Sequence, residues 1–152
     1  EHFVDVEIVG GNHDRISSSN QDDKEGQVAY LISGMLERLG KGIDTNFDPL
    51  LLTSNHDGIQ YICTHGDKRI SKKDANQMVL EYGDQSCFNV MLTAHRHDEK
   101  IIENTIKFKS IQIPAVCSPN NYAVRNGWTS SSGFVILEKT PFKNVTVHSH
   151  GL

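Results

Sequence analysis

The sequence predicts an α/β fold, because apolar runs with the character of strands alternate with two segments of helical periodicity. Three of the apolar runs end in polar side chains that include histidine: Asn12, His13 and Asp14 after the first, His65 after the second, and His95 with His97 after the third. Open α/β sheets bind ligands at the carboxyl ends of their strands. These polar side chains are therefore the candidate functional residues.

The first strand is predicted from Phe3 to Val9 as a mostly buried strand, and it leads into Gly10 and Gly11. Glycines at such a point allow positive φ or a close approach of the backbone to a ligand. Asn12 and His13 would then project from the loop that follows. The alternative for this triplet is an Asx-type turn after a strand, with no role in binding.

Two helices are predicted from apolar spacing. The first runs from Glu25 to Gly40, and its apolar residues are expected to form a core face packed on the sheet: Val28, Leu31, Ile32, Met35, Leu36 and Leu39. A lid or partner-binding role is the alternative for that face. The second helix begins at Ser71, which with Asp74 forms an imperfect capping box, and it stops at Gly83.

Further strands are predicted around turn signals. An Asp-Gly pair at residues 57–58 indicates a type I′ hairpin, so His56 is given a turn role only. A strand is predicted from Phe88 to Thr93, a hairpin from Ile101 to Ile113, and closing strands at residues 133–138 and 145–147. Residues 118–121 are predicted as a loop, and His148 and His150 as part of a solvated tail.

The composition is that of a globular protein: 37% of the 152 residues are hydrophobic and 22% are charged, which predicts a single domain over residues 1–152. The net charge of -4 provides no general attraction to nucleic acid, so binding to DNA would need a local basic patch. One candidate patch follows His65: Lys68, Arg69, Lys72 and Lys73. The alternative for this patch is the solvated first turn of a helix.

The three cysteines, Cys63, Cys87 and Cys117, are scattered through apolar contexts, which predicts reduced, buried thiols in a cytoplasmic protein. No signal peptide and no apolar run of bilayer length is present, so no membrane association is expected. The chain starts with Glu1 and enters a strand almost at once, from which we expect a fragment of a larger domain.

The ordered motifs GNHD at residues 11–14, HGD at 65–67 and HxH at 95–97 resemble the C-terminal half of the calcineurin-like metallophosphoesterases. That superfamily includes protein phosphatases, cyclic-nucleotide phosphodiesterases and SbcD-type nucleases, and the spacing is most similar to its phage and prophage members. The resemblance covers most of residues 1–139. Ala94 stands where the family has the glycine of Gly-His-x-His, and the family's opening Asp-x-His and Gly-Asp-x-x-Asp motifs have no match in this sequence.

The resemblance implies a four-layer α/β/β/α sandwich, of which this chain would form one half, and a site for two divalent ions such as Mn, Fe, Zn or Ni. It implies that one metal is bound by Asn12, His65 and His95 and the other by His97. His13 would stabilise the transition state or protonate the leaving group, and Asp14 would orient His13. Arg15 and Arg96 would hold phosphate oxygens. Solvation at the surface is the alternative for both arginines. A sheet edge left open by missing strands would favour a homodimer.

Two metals about 3.5–4 Å apart can hydrolyse a phosphate ester. Because the family's bridging and completing ligands have no counterpart in the sequence, the isolated chain is expected to be inactive or very weak. Three functions stay open: a phosphodiesterase that acts on nucleic acid, a non-catalytic interaction domain on the same fold, and a phosphomonoesterase or cyclic-nucleotide enzyme with the same metals.

Overall fold

The structure, a computed structural model, describes residues 4–12, 14, 26–66, 70–117, 121–127, 132–141 and 144–152. The elements follow in the order β1 (Val4–Val9), α1 (Gln27–Leu39), β2 (Ile43–Asp48), β3 (Leu51–His56), β4 (Ile59–Thr64), α2 (Lys72–Tyr82), β5 (Phe88–Thr93), β6 (Lys100–Asn104), β7 (Phe108–Gln112), α3 (Asn121–Arg125), β8 (Gly133–Lys139) and β9 (Val145–Gly151). The predicted α/β class is confirmed. No described helix has the length and apolarity needed to cross a bilayer.

The chain divides into two compact units, a first unit of Glu1–Leu52 with Cys63–Asp67 and a second of Thr53–Ile62 with Lys68–Leu152. In the first unit β1 and β2 pair in parallel, and α1 packs against both strands. No residue of β1 is fully buried, and Val4 is 51% exposed, so the prediction of a mostly buried first strand was wrong. That the whole chain forms a single domain stays a prediction.

Helix α1 forms close to its predicted bounds but packs through a different face. Its buried residues are Ala29 and Ser33, and the Ser33 hydroxyl donates to the Thr45 hydroxyl of β2 over 2.8 Å. Four large residues of the predicted core face are exposed instead: Leu31 at 52%, Ile32 at 47%, Met35 at 59% and Leu39 at 79%. The prediction that these residues pack on the sheet was therefore wrong. The helix contacts β2 through Ser33 and through Tyr30, whose ring lies 5.6 Å from that of Phe47 between centroids.

A five-stranded sheet, most of which belongs to the second unit, has the order β3-β4-β5-β7-β6. Strands β3 and β4 meet at Asp57 and Gly58, whose φ values of 54° and 78° fit the predicted type I′ turn. Strand β5 pairs in parallel with β7, and the predicted hairpin of β6 and β7 is confirmed as antiparallel.

The second unit has three layers. One cluster of its core lies between the five-stranded sheet and the hairpin of β8 and β9, where Ile59, Val90 and Ile111 pack with Val145. Helix α2 packs against β5 and β6. Both halves of its capping box are present, since the Ser71 side chain accepts from the Asp74 backbone while the Asp74 carboxylate accepts from the Ser71 backbone.

The C-terminal residues form a strand and not a solvated tail. His148 and His150 belong to β9, which pairs in antiparallel register with β8. The His148 ring lies 2.9 Å from a Glu138 carboxylate oxygen, and the His150 ring stacks on Phe134 with 5.0 Å between the centroids. The prediction of a tail was wrong because it ignored these partners, all of which come from the neighbouring strand. Helix α3 begins at Asn121, the last residue of the predicted loop.

Candidate functional site

Two predicted ligands from separate motifs meet in the first unit. The Asn12 side-chain oxygen and the His65 Nε2 atom lie 2.8 Å apart, although 53 residues separate them in the chain. Both side chains are half-buried. An amide oxygen only accepts, so the imidazole donates in this contact and carries its proton on Nε2. The ends of β1 and β4 thus place an oxygen and a nitrogen donor side by side.

The two glycines before Asn12 are required for close packing and not for positive φ. A Cβ added to Gly11 would lie 3.2 Å from Nδ1 of the His65 ring, and a Cβ at Gly10 would lie 2.7 Å from the Gly26 Cα. Neither glycine has a positive φ. Gly11 therefore leaves the space that the His65 ring occupies, a function that the order of residues alone did not reveal.

Asp14 caps α1. Both of its carboxylate oxygens accept from the Ala29 backbone N–H, at 3.1 and 3.0 Å, and its carbonyl oxygen accepts from the Gly26 N–H. Gly26 is the N-cap residue and has no side chain to satisfy the first turn of the helix. Asp14 supplies that acceptor from outside the helix. Its role in orienting His13 stays a prediction, since His13 lies outside the described residues.

The spacing of Asn12 and His65 is also close to that of two neighbouring ligands of one octahedral metal ion. Two ligand atoms about 2.1 Å from one ion, and at right angles to each other, are about 3.0 Å apart. The 2.8 Å between the amide oxygen and the imidazole nitrogen is close to that value. Both donor types suit divalent Mn, Fe, Zn and Ni. Binding would require the other tautomer, with Nε2 free of its proton.

His95 and His97 belong to the second unit, directly after β5. Their backbones are left-handed, with φ of 59° and 60°, and between them the Arg96 N–H donates to the Ala94 carbonyl over 2.7 Å. Such φ values are uncommon in residues other than glycine and often mark functional loops. His95 is half-buried, whereas Arg96 and His97 are exposed.

Five further residues of the motifs and of the basic patch lie outside the residues that the structure describes: His13, Arg15, Asp67, Lys68 and Arg69. Within the described part of the chain, no group of three or more His, Cys, Asp or Glu side chains is placed to hold a metal ion. The amide oxygen of Asn12 is a possible ligand in addition to these four residue types. The full ligand set therefore stays a prediction.

A partly buried thiol, that of Cys63, lies in the same unit as Asn12 and His65. Burial, together with the negative charge of Glu7, raises the pKa of Cys63 from 9.0 to about 11. The thiol therefore stays protonated at neutral pH and is a poor nucleophile and metal ligand. Cys63, Cys87 and Cys117 are all free, as the sequence predicted. The prediction that all three are buried was wrong, because Cys63 and Cys87 are only partly buried and Cys117 is exposed.

No family model matches the sequence, and a search of curated proteins finds no match. Among solved structures, a Vps29 double mutant from Entamoeba histolytica is similar over 97% of this chain and 82% of that chain, with 10% identity and a TM-score of 0.48. Vps29 from Chaetomium thermophilum in complex with a RaPID-derived cyclic peptide is similar over 99% and 95%, with 10% identity and a TM-score of 0.48. Chaetomium thermophilum Vps29 without the peptide has 9% identity and a TM-score of 0.44. Likeness at this level establishes neither a family nor a function for the chain.

Proposed function

We propose that this chain carries part of the catalytic centre of a metal-dependent phosphoesterase, which hydrolyses phosphodiester or phosphomonoester bonds in the cytoplasm. The observation that supports the proposal is the 2.8 Å contact between Asn12 and His65. The sequence motifs single out these two residues separately, and they come together with the donor types and the spacing of adjacent metal ligands.

In this proposal Asn12 and His65 hold one metal, and His95 and His97 are the further ligands that the motif order implies. When bound, divalent ions polarise phosphoryl oxygens and lower the pKa of water, which is the chemistry that a phosphate ester requires. His13 stabilises the transition state or protonates the leaving oxygen. Arg15 and Arg96 hold phosphate oxygens of the substrate.

Metal binding by the chain itself is the first test. Thermal unfolding is measured with increasing Mn²⁺ or Zn²⁺ for the wild type, for His65→Ala and for the control His56→Ala, which alters a histidine of the hairpin at residues 57–58. A ligand that binds only the folded state stabilises it by about 2.7 kcal/mol at a hundredfold excess over its Kd. We expect His65→Ala to lose this response and His56→Ala to keep it. An equal response in all three proteins would refute the assignment of His65.

Activity separates ligands from other catalytic groups. In an active form of the protein, His95→Ala should abolish Mn-dependent hydrolysis of a generic phosphodiester and lower the metal content. His13→Ala should lower turnover and leave the metal content unchanged, because a group that does not bind the metal acts on the transition state. Equal metal loss in both variants would show that the role given to His13 is wrong.

A second candidate, a non-catalytic interaction domain, is favoured by the exposed apolar face of α1. Leu31, Met35 and Leu39 lie four residues apart on one side of the helix, each more than half exposed. Contiguous apolar surface of this kind often marks a protein contact. Metal titration separates the two functions, since an interaction domain needs no response that depends on His65.

A further inference from the structure

The second unit contains an open cleft of about 860 Å³ between the start of α2 and strand β6. Helix α2 contributes Ser71 and Lys72, β6 contributes Lys100–Asn104, and the loop after β5 contributes Arg96 and Asp98. No sequence pattern singles out Asp98 or Lys100. The cleft exists because β6 returns along β7 and lies beside the helix, an arrangement that no local pattern shows.

The carboxylates in this cleft already have partners. Glu103 pairs with the Lys72 ammonium at 3.5 Å and accepts from the Asn104 backbone N–H. Asp98 accepts from the Gln112 side-chain amide at 2.6 Å. The negative charge of Glu103 is thus partly compensated by Lys72, which lowers its repulsion of an anionic ligand, whereas Asp98 is held by a neutral amide.

Two cations of the cleft have no such partner. Within the part of the chain that the structure describes, the side chains of Arg96 and Lys100 make no hydrogen bond or ion pair. Both residues are exposed to the cleft and to solvent. The cleft therefore offers two separate positive charges to a ligand that carries more than one anionic group.

The cleft starts beside the predicted metal-ligand motif, because Arg96 stands between His95 and His97. It continues along β6, whose five residues cover about 16 Å at the usual rise of a strand. That length exceeds a single phosphate group. A chain of phosphodiesters places one negative charge at each successive unit, whereas a singly phosphorylated protein segment presents one such group.

We propose that this cleft binds the non-scissile phosphates of a single-stranded nucleic acid, with Arg96 and Lys100 each pairing with one backbone phosphate. The proposal rests on the phosphoesterase function proposed above and names its substrate class. The basic residues position the nucleic acid through its backbone phosphates. The apolar side chains of Ile70, Ile101 and Ile102 line the same cleft and offer contact to sugars and bases.

The test is the binding of a fluorescein-labelled decathymidylate, measured by anisotropy in a chelator so that metal ions do not contribute. Arg96→Gln with Lys100→Gln is compared with the control Arg125→Gln with Lys107→Gln, which makes the same change in charge at exposed positions outside the cleft. Loss of two phosphate contacts should weaken binding at low salt by on the order of tenfold per contact. It should also reduce the log–log salt slope by about 1.4, while the control stays near the wild type.

Several results would overturn the proposal: an unchanged slope in the Arg96 and Lys100 variant, an equal loss in the control, or no binding by the wild type at millimolar protein. A doubly phosphorylated peptide that competes better than the oligonucleotide would also overturn it.

If these results came with intact metal binding at His65, the binding of nucleic acid in the cleft would be refuted and the phosphoesterase function would stand. Binding that depends on Arg96 and Lys100 in a chain without metal affinity would instead refute the phosphoesterase function and leave the phosphate contacts in place. If the double variant unfolds, the single variant Arg96→Gln, which changes an exposed loop residue, is used in its place.

Discussion

Replacing Asp14 by Ala should destabilise the first unit, because this carboxylate caps α1 from outside the helix. The side chain accepts from the Ala29 N–H through both oxygens, at 3.1 and 3.0 Å, and Gly26 at the N-cap has no side chain to replace it. Loss of a capping acceptor costs about 1 kcal/mol, and loss of a negative charge near a helix N-terminus costs up to about 1 kcal/mol more. We expect the free energy of unfolding to fall by about 1–2 kcal/mol and the Tm to fall by about 3–6 °C.

Urea denaturation followed by circular dichroism measures the effect, and Asp44→Ala is the matched control. Asp44 is exposed on β2 of the same unit and makes no side-chain bond among the described residues. Asp14→Asn keeps an acceptor oxygen and loses the charge, so its cost should stay below about 1 kcal/mol. An Asp14→Ala variant as stable as the control would refute the capping role. An Asp14→Asn variant that is stable but catalytically impaired would support the predicted role of Asp14 in orienting His13.

Three further outcomes follow from the structure. The pKa of Cys63 is raised from 9.0 to about 11, so its contribution to stability is complete below pH 9 and is lost as the pH rises through 11. Over this range the free energy of unfolding of the wild type should fall by about 2–3 kcal/mol relative to that of Cys63→Ala. Urea midpoints of the two proteins that run in parallel across the range would contradict this. The variant His97→Gly should be about 1 kcal/mol more stable than His97→Ala, because φ at this position is 60° and only glycine adopts this conformation without strain. Equal stabilities of the two variants would remove the evidence for strain in the loop. Finally, sedimentation velocity should show self-association of the wild type, and the double variant Met35→Ser with Leu39→Ser should reduce it, because both side chains are more than half exposed. Association that persists in this variant would favour the predicted dimer through an open sheet edge.

Elements with a local cause could be predicted from the sequence. Strand β5 has its predicted bounds, and α2 begins and ends where Ser71 and Gly83 indicate. The hairpin turn at Asp57 and Gly58 follows from the tolerance of these two residue types for positive φ. Each of these features depends on side chains within a few residues of the backbone that they control, so a linear pattern contains the cause.

Elements that depend on a distant partner were predicted less well. The apolar spacing of α1 indicated a helix but not which face would be buried: Ala29 and Ser33 are buried, whereas Leu31, Met35 and Leu39 are left exposed. Strand β2 was not predicted, although Ile43, Thr45 and Phe47 alternate with polar residues, since its strand character depends on parallel pairing with β1. Strand β9 extends through His148 and His150 because β8 supplies the matching hydrogen bonds.

The sequence by itself determined the chemical nature of the candidate site: which strand ends carry amide and imidazole donors, and in what order. Only the tertiary structure decided that Asn12 meets His65 at 2.8 Å, that Gly11 leaves space for the imidazole ring, and that Asp14 is engaged by Ala29. The physical reason is that residue types depend on the local chain, whereas a contact across 53 residues depends on strand pairing and packing that no segment specifies alone.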